Sequence, residues 1–124
     1  KSLLEAALRA NPKDIDANYE YGRMLAQEGN YKAAAAYLEQ VRLRVPENAE
    51  IRATYGQILG QAGDIFHAYL NLTYAAIYDN NPRQVKFQLE KAKAPAKSDD
   101  DRRELAKLEE TLKKRSEFWK TKPF

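Results

Sequence analysis

Residues Ile15–Asn48 read IDANYEYGRMLAQEGNYKAAAAYLEQVRLRVPEN, and Ala49–Pro82, a stretch of equal length, read AEIRATYGQILGQAGDIFHAYLNLTYAAIYDNNP. Laid one over the other, Tyr21 falls on Tyr55, Gly22 on Gly56, Leu25 on Leu59, Gly29 on Gly63 and Ala34 on Ala68. The same step of 34 residues carries Leu4 to Leu38, Glu5 to Glu39 and Pro12 to Pro46, so the period reaches back into residues 1–14. A fixed period of this length marks a stacked array, in which each unit is one supersecondary element that buries its apolar face against its neighbours.

Each unit reads as a helical hairpin. Asp14-Ile15-Asp16 opens a first helix with acids at its positive end, and Tyr21, Gly22, Leu25 and Ala26 form its inner face. Gly29-Asn30 stops that helix; a second runs from about Tyr31 through Ala34, Tyr37, Leu38 and Val41, and Pro46 marks its end. Gly22 and Ala34 fall where the two helices meet, and larger residues there would push the hairpin open. Tyr21, Tyr31, Tyr37 and Tyr55 take packing positions, with Tyr19 the exception.

The second unit departs from this pattern. Ile65–Tyr78 should be an amphipathic partner for 49–62, yet it is apolar or aromatic nearly all round, which requires cover on both sides. Asn80-Asn81-Pro82 then turns the chain, and Val85, Leu89 and Ala92 recur as in the second helix of a unit. Helix 65–78 is therefore the closing partner of 49–62 and the opening partner of 82–94. Beyond Ala94-Pro95, Ser98 caps a helix with Asp99, Asp100 and Asp101 in its first turn, and Leu105, Leu108, Leu112 and Trp119 form a narrow seam. Glu109 and Glu110 stand four residues before Lys113 and Lys114, the favourable order for helical ion pairs. The expected molecule is all-α with about seven helices. Its parts are the second helix of a truncated unit over 1–14, a full repeat over 15–48, a second repeat with shared and closing helices over 49–97, and a capping helix with a basic tail over 98–124.

Composition narrows the function. The 124 residues include no cysteine and one histidine, His67, which removes disulfides, thiolate nucleophiles and cysteine-based metal sites and leaves too few ligands for zinc. With no second histidine, His67 is read as a helix residue hydrogen-bonded near the start of 65–78. No catalytic, metal or cofactor residues are expected. The net charge of +3 is uneven: residues 1–82 hold 8 basic and 10 acidic side chains, residues 83–124 hold 13 and 8. Lys113-Lys114-Arg115 reads as a solvated helix end, where cations are favoured. No apolar run approaches the ~20 residues of a membrane span, so no membrane insertion is expected. Lys1 leads straight into the stripe Leu3, Leu4, Ala7 and Leu8, which reads as a piece of a longer protein and predicts self-association through that end.

Tyr21-Gly22, Leu25, Gly29, Tyr31, Ala34, Tyr37 and Pro46 together resemble the tetratricopeptide repeat, with Asn18 where that family often has Trp and Val41 where Ala is usual. The resemblance implies a right-handed superhelix whose inner surface, lined by the first helix of each unit, binds a peptide or protein partner. The inward positions would be Tyr19, Arg23 and Gln27, then Ala53, Gln57 and Gln61. If helix 65–78 also acts as a first helix, Asn71, Tyr74 and Tyr78 join them. The carboxylate clamp that grips acidic chaperone tails is not matched, since Tyr19, Arg23, Thr54, His67 and Asn71 stand in its places. A narrower resemblance runs from Gly63-Asp64 and Ala68-Tyr69 through Val85, Gln88-Leu89 and Ala92 to Arg102-Arg103, Leu105-Ala106, Leu108, Leu112 and Phe118. It is similar to the C-terminal repeat domain of bacterial HExxH zinc metallopeptidases of the periplasmic β-barrel-assembly-enhancing type. This implies a periplasmic, metallopeptidase-associated domain whose catalytic residues lie upstream. Two other classes stay open: a structural scaffold or oligomerisation domain, and a nucleic-acid or anionic-surface binder using residues 83–124, although nucleic acid is not the expected partner.

Overall fold

Seven helices make up the computed structural model, which describes residues 2–121: α1 (Ser2–Ala10), α2 (Ile15–Gln27), α3 (Tyr31–Arg44), α4 (Ala49–Gln61), α5 (Ile65–Tyr78), α6 (Pro82–Lys93) and α7 (Asp99–Thr121). No strand occurs among the described residues. The 34-residue period is visible in the connections atom by atom. Asp14 accepts from Ala17 N at 2.9 Å and starts α2, and Asn48 accepts from Ile51 N at 3.0 Å and starts α4. Before each cap the chain is folded by equivalent bonds, Asn11 N to Ala7 O and Val45 N to Val41 O. Each joint is sealed by a side chain that donates to the proline carbonyl, Asn18 Nδ2 to Pro12 O and Arg52 Nε to Pro46 O, both at 2.9 Å.

The turns inside hairpins use a different device. Gly29 and Gly63 adopt φ of +84° and +94°, and the next residue donates back across the helix end, Asn30 N to Leu25 O and Asp64 N to Leu59 O, each at 2.9 Å. One period after the α3–α4 joint, residues 79–82 should repeat the joint. They repeat the hairpin turn instead: Asn80 takes φ +55°, and Asn81 N donates to Ala76 O at 3.0 Å. Asparagine tolerates this left-handed conformation better than other side chains do. The third hairpin turn thus comes 17 residues after Gly63, half a period, and α5 and α6 form a hairpin of their own.

Close helix approach explains the glycines at the crossings. A Cβ on Gly22 would lie 2.2 Å from Leu38 Cδ2, and one on Gly56 would lie 2.9 Å from the Ala68 carbonyl oxygen. Around the first crossing, Leu25, Ala34, Leu38 and Ile58 are buried, with Tyr21 and Tyr37 edge-to-face at 4.8 Å. Tyr19 joins this cluster with Tyr21, Tyr37 and Tyr55, so it packs as they do rather than being an exception, whereas Tyr31 lies outside the cluster. The second core lies around α5, where Phe66, Leu70, Ile77, Val85 and Leu108 meet. Helix α5 packs on α4, α6 and α7, which is why its sequence lacks a polar face. Leu105, Leu112 and Trp119 pack against this core as the seam predicts, and full burial of Leu108 contributes about 1.5–3 kcal/mol. The ion pairs of α7 differ from the expected ones. They join Asp99 to Arg102, Asp100 to Arg103 and Glu117 to Lys120, and none links Glu109 to Lys113 or Glu110 to Lys114 among the described residues. Such exposed pairs are worth a few tenths of a kcal/mol, roughly, so solvation competes with them easily.

Candidate binding surfaces

Helix α4 presents two opposite faces, and each helps to form a separate surface. On one face, Thr54, Gln57 and Gln61 look across to Arg23 and Gln27 of α2, with Tyr31 at the end, around an open cleft of about 380 Å³. Four of the residues expected from the sequence, Arg23, Gln27, Gln57 and Gln61, therefore line a single cleft. Tyr19 flanks it with its hydroxyl 3.1 Å from Thr54 Oγ1 and donating to Glu50 Oε2 at 3.2 Å, while Arg23 lies 5.5 Å from its ring. The tyrosine ties α2 to α4 as well as bordering the opening. Ala53 faces the next hollow along α4, about 360 Å³, floored by Leu72 and Ala76 and walled by Gln84 and Gln88 of α6. Gln88 Oε1 is buried there without a hydrogen-bond partner, a costly state for an acceptor.

Asn71, Tyr74 and Tyr78 are not part of this cleft. Because α5 is the second helix of its hairpin with α4, these residues point to the far side, toward α7. Asn71 is 4 % exposed, and its amide is committed: Nδ2 donates to His67 O at 2.9 Å and Oδ1 accepts from Arg52 Nη1 at 2.8 Å. It holds the helices together and takes no part in the α2–α4 cleft, which corrects the expectation. Tyr74 and Tyr78 stack at 6.0 Å, with the Arg52 guanidinium 4.4 Å from the Tyr74 centroid. Burial first, and then neighbouring Arg42, pull the Arg52 pKa below the usual arginine value. Sequence reasoning did not single out Arg52. The available signal was the period itself, since Arg52 occupies the place of Asn18 one unit on.

Beside this side lies a charged network. Arg42 grips Glu39 through Nε at 2.6 Å and Nη2 at 2.9 Å; that hydrogen bond holds the Glu39 carboxyl low and the Arg42 guanidinium high. His67 is hydrogen-bonded at the start of α5, through Nδ1 to Asp64 Oδ1 at 2.9 Å, and also reaches α7 through Nε2 to Glu104 Oε2 at 2.7 Å. Burial opposes the imidazolium, but the hydrogen bonds and charges of Asp64 and Glu104 outweigh it and raise the pKa above the ordinary histidine value. At the other end of α7, Arg115 Nη1 donates to Asn80 Oδ1 at 2.7 Å and Trp119 Nε1 donates to the same oxygen at 3.0 Å.

Among the described residues no group of three or more His, Asp or Glu side chains is placed to hold a metal ion, and no helix is long and apolar enough to cross a membrane. The family model described as tetratricopeptide repeat matches residues 1–58 and 25–69. The chain belongs to the tetratricopeptide repeat family. Repeats of this family generally mediate protein–protein interaction and are typically non-catalytic. The second match ends inside α5. No curated protein and no solved structure matches the chain.

Proposed function

We propose that this tetratricopeptide domain is a non-catalytic module that binds a peptide or protein partner along the face shared by α2, α4 and α6. The observation that carries the reading is the convergence of Arg23, Gln27, Gln57 and Gln61 on one open cleft. Amide side chains and a guanidinium suit the backbone groups of an extended peptide. Gln88 Oε1, buried without a donor in the adjoining hollow, supports a peptide that continues across α4 toward α6. The test is a random-peptide display selection on the immobilised domain, followed by affinity measurement. Combined Arg23→Ala and Gln57→Ala substitutions should weaken the selected peptides about tenfold or more. These two are preferable to Tyr19, whose hydroxyl also joins two helices. Unchanged affinity in the double variant removes the cleft from the proposal.

The finer context rests on the order of residues from Gly63-Asp64 through Arg102-Arg103 to Phe118, which supports a periplasmic domain attached to a bacterial zinc metallopeptidase. An HExxH motif in the parent reading frame upstream of Lys1 is the expected finding, and further repeats alone would reject it. Leu3, 85 % exposed on α1, supports self-association, which sedimentation of Leu3→Glu should abolish.

A further inference from the structure

A second trough runs along the opposite side of the molecule, between α3 and α7 and over α5. It consists of two hollows of about 400 Å³ and 640 Å³, and the stacked rings of Tyr74 and Tyr78 stand between them, one lining each. Helix α7 forms one wall with Glu104, Lys107, Thr111, Lys114 and Phe118, whose alternating steps of three and four keep them on one face. That wall is about 21 Å long at the helical rise of about 1.5 Å per residue, enough for about six residues of extended chain.

The charges in this trough do not cancel locally. Its carboxylates are partly offset from within: Glu39 by Arg42, and one of Asp64 and Glu104 by the single positive charge that His67 can carry. Its cations are not. Arg52, 7 % exposed, has neutral oxygens as hydrogen-bond acceptors, Pro46 O and Asn71 Oδ1, and Arg115 likewise donates to Ile77 O and Asn80 Oδ1. Lys107 and Lys114 form no ion pair among the described residues. Glu47 and the other of Asp64 and Glu104 remain to offset these four cations, which leaves a surplus of positive charge. Buried charges are ordinarily matched by a directly bonded opposite charge, so a nine-tenths buried arginine that bonds neutral oxygens, with the Glu39 carboxylate acting on it only through space, is the unusual feature of this side.

We propose that the trough between α3 and α7 binds an acidic segment of a protein partner, its carboxylates meeting Lys107, Lys114 and Arg115 and its apolar side chains resting on the Tyr74–Tyr78 pair. The ring geometry favours a peptide over nucleic acid, because the two tyrosines already stack on each other and on Arg52 rather than presenting open faces to bases. This surface is distinct from the α2–α4 cleft, so either can fail without the other.

The probe is a fluorescein-labelled peptide of three Glu-Glu-Phe units, compared by anisotropy with the same peptide carrying Gln for every Glu and with an oligothymidine of equal charge. The intact domain should bind the Glu peptide at least about tenfold more tightly than the Gln peptide. Combined Lys107→Glu and Lys114→Glu, both at exposed positions, should remove that preference, Lys107→Arg with Lys114→Arg should keep it, and Arg23→Ala with Gln57→Ala should leave it unchanged. Equal binding of the two peptides, no binding of either, or loss of the preference in the Arg23/Gln57 variant overturns the proposal. Tighter binding of the oligothymidine with the same lysine dependence also overturns it, in favour of a nucleic-acid surface.

Discussion

The joint at Val45–Asn48 and the turn at Asp79–Pro82 are one period apart, yet they are built differently. In the first, Asn48 caps α4 and Arg52 closes on Pro46 O, so the new hairpin starts as a fresh unit. In the second, Asn80 adopts a left-handed backbone and α6 folds straight back onto α5. The difference teaches that the phase of a helical array is set by the chemistry of its connections: a left-handed residue at a helix end makes a hairpin, and a joint closed by a side chain on the proline carbonyl starts a unit. Sharing α5 between two hairpins leaves it a further side for α7, and the second core and the α3–α7 trough both follow from that.

The most damaging way to break the comparison is to place the residue of one hairpin into the other. Thr73 stands 17 residues after Gly56, the same half period that carries Gly63 to Asn80, and it is fully buried with Oγ1 donating to Tyr69 O. Gly56→Thr puts that side chain where even a Cβ would be 2.9 Å from a backbone oxygen, so a loss of about 3 kcal/mol is expected in urea unfolding. A loss under about 1 kcal/mol would show that α4 and α5 separate easily.

The next effect concerns the turns. Asn80→Val places a β-branched residue at φ +55° and removes the acceptor shared by Arg115 and Trp119, for an expected cost of about 2–3 kcal/mol. Gly63→Ala, at φ +94° with open space around it, should cost only about 1–2 kcal/mol. Thermal unfolding of the two variants ranks them, and equal losses would mean that the anchoring of α7 at Asn80 adds nothing.

The smallest effect separates α7 from the rest by pH. The folded-state pKa of His67 is raised, so the stability it contributes is full below the ordinary value of about 6.5 and is lost as pH rises through the folded value. The groups facing it are Asp64 on its own helix turn and Glu104 on α7, with Arg42, Lys107 and Asp101 nearby. The pair is partly solvent-screened, so a gain of at most about 0.5 kcal/mol at pH 6 over pH 8 is expected. Hydrogen exchange in the first turns of α7 should follow it, and His67→Asn should flatten the dependence.

Much of this was legible in the chain because a period repeats identities that need no partner to be recognised. Gly22 and Gly56, the left-handed glycines, and the apolar circumference of 65–78 each announce their surroundings by what they lack. The cleft residues Arg23, Gln27, Gln57 and Gln61 were expected from the resemblance to the tetratricopeptide repeat, in which the first helix of each unit lines the inner surface. What escaped depends on contacts between distant positions. Asn71, Tyr74 and Tyr78 go to the other side because of how α5 lies on α4, and Arg115 and Trp119 find Asn80 across 35 and 39 residues with no repeating spacing to reveal it. Arg52 was hidden for a different reason: its role lies in a joint whose other instance uses the much shorter Asn18.

The placement of Trp119 gives the molecule an optical division of labour. It is the single tryptophan and lies on α7, whereas all eight tyrosines lie between residues 19 and 78, on α2 through α5. Selective tryptophan emission therefore monitors the last helix alone, and energy transfer from the tyrosines measures how closely that helix rests on the array, so undocking of α7 and melting of the repeats can be followed separately without a label.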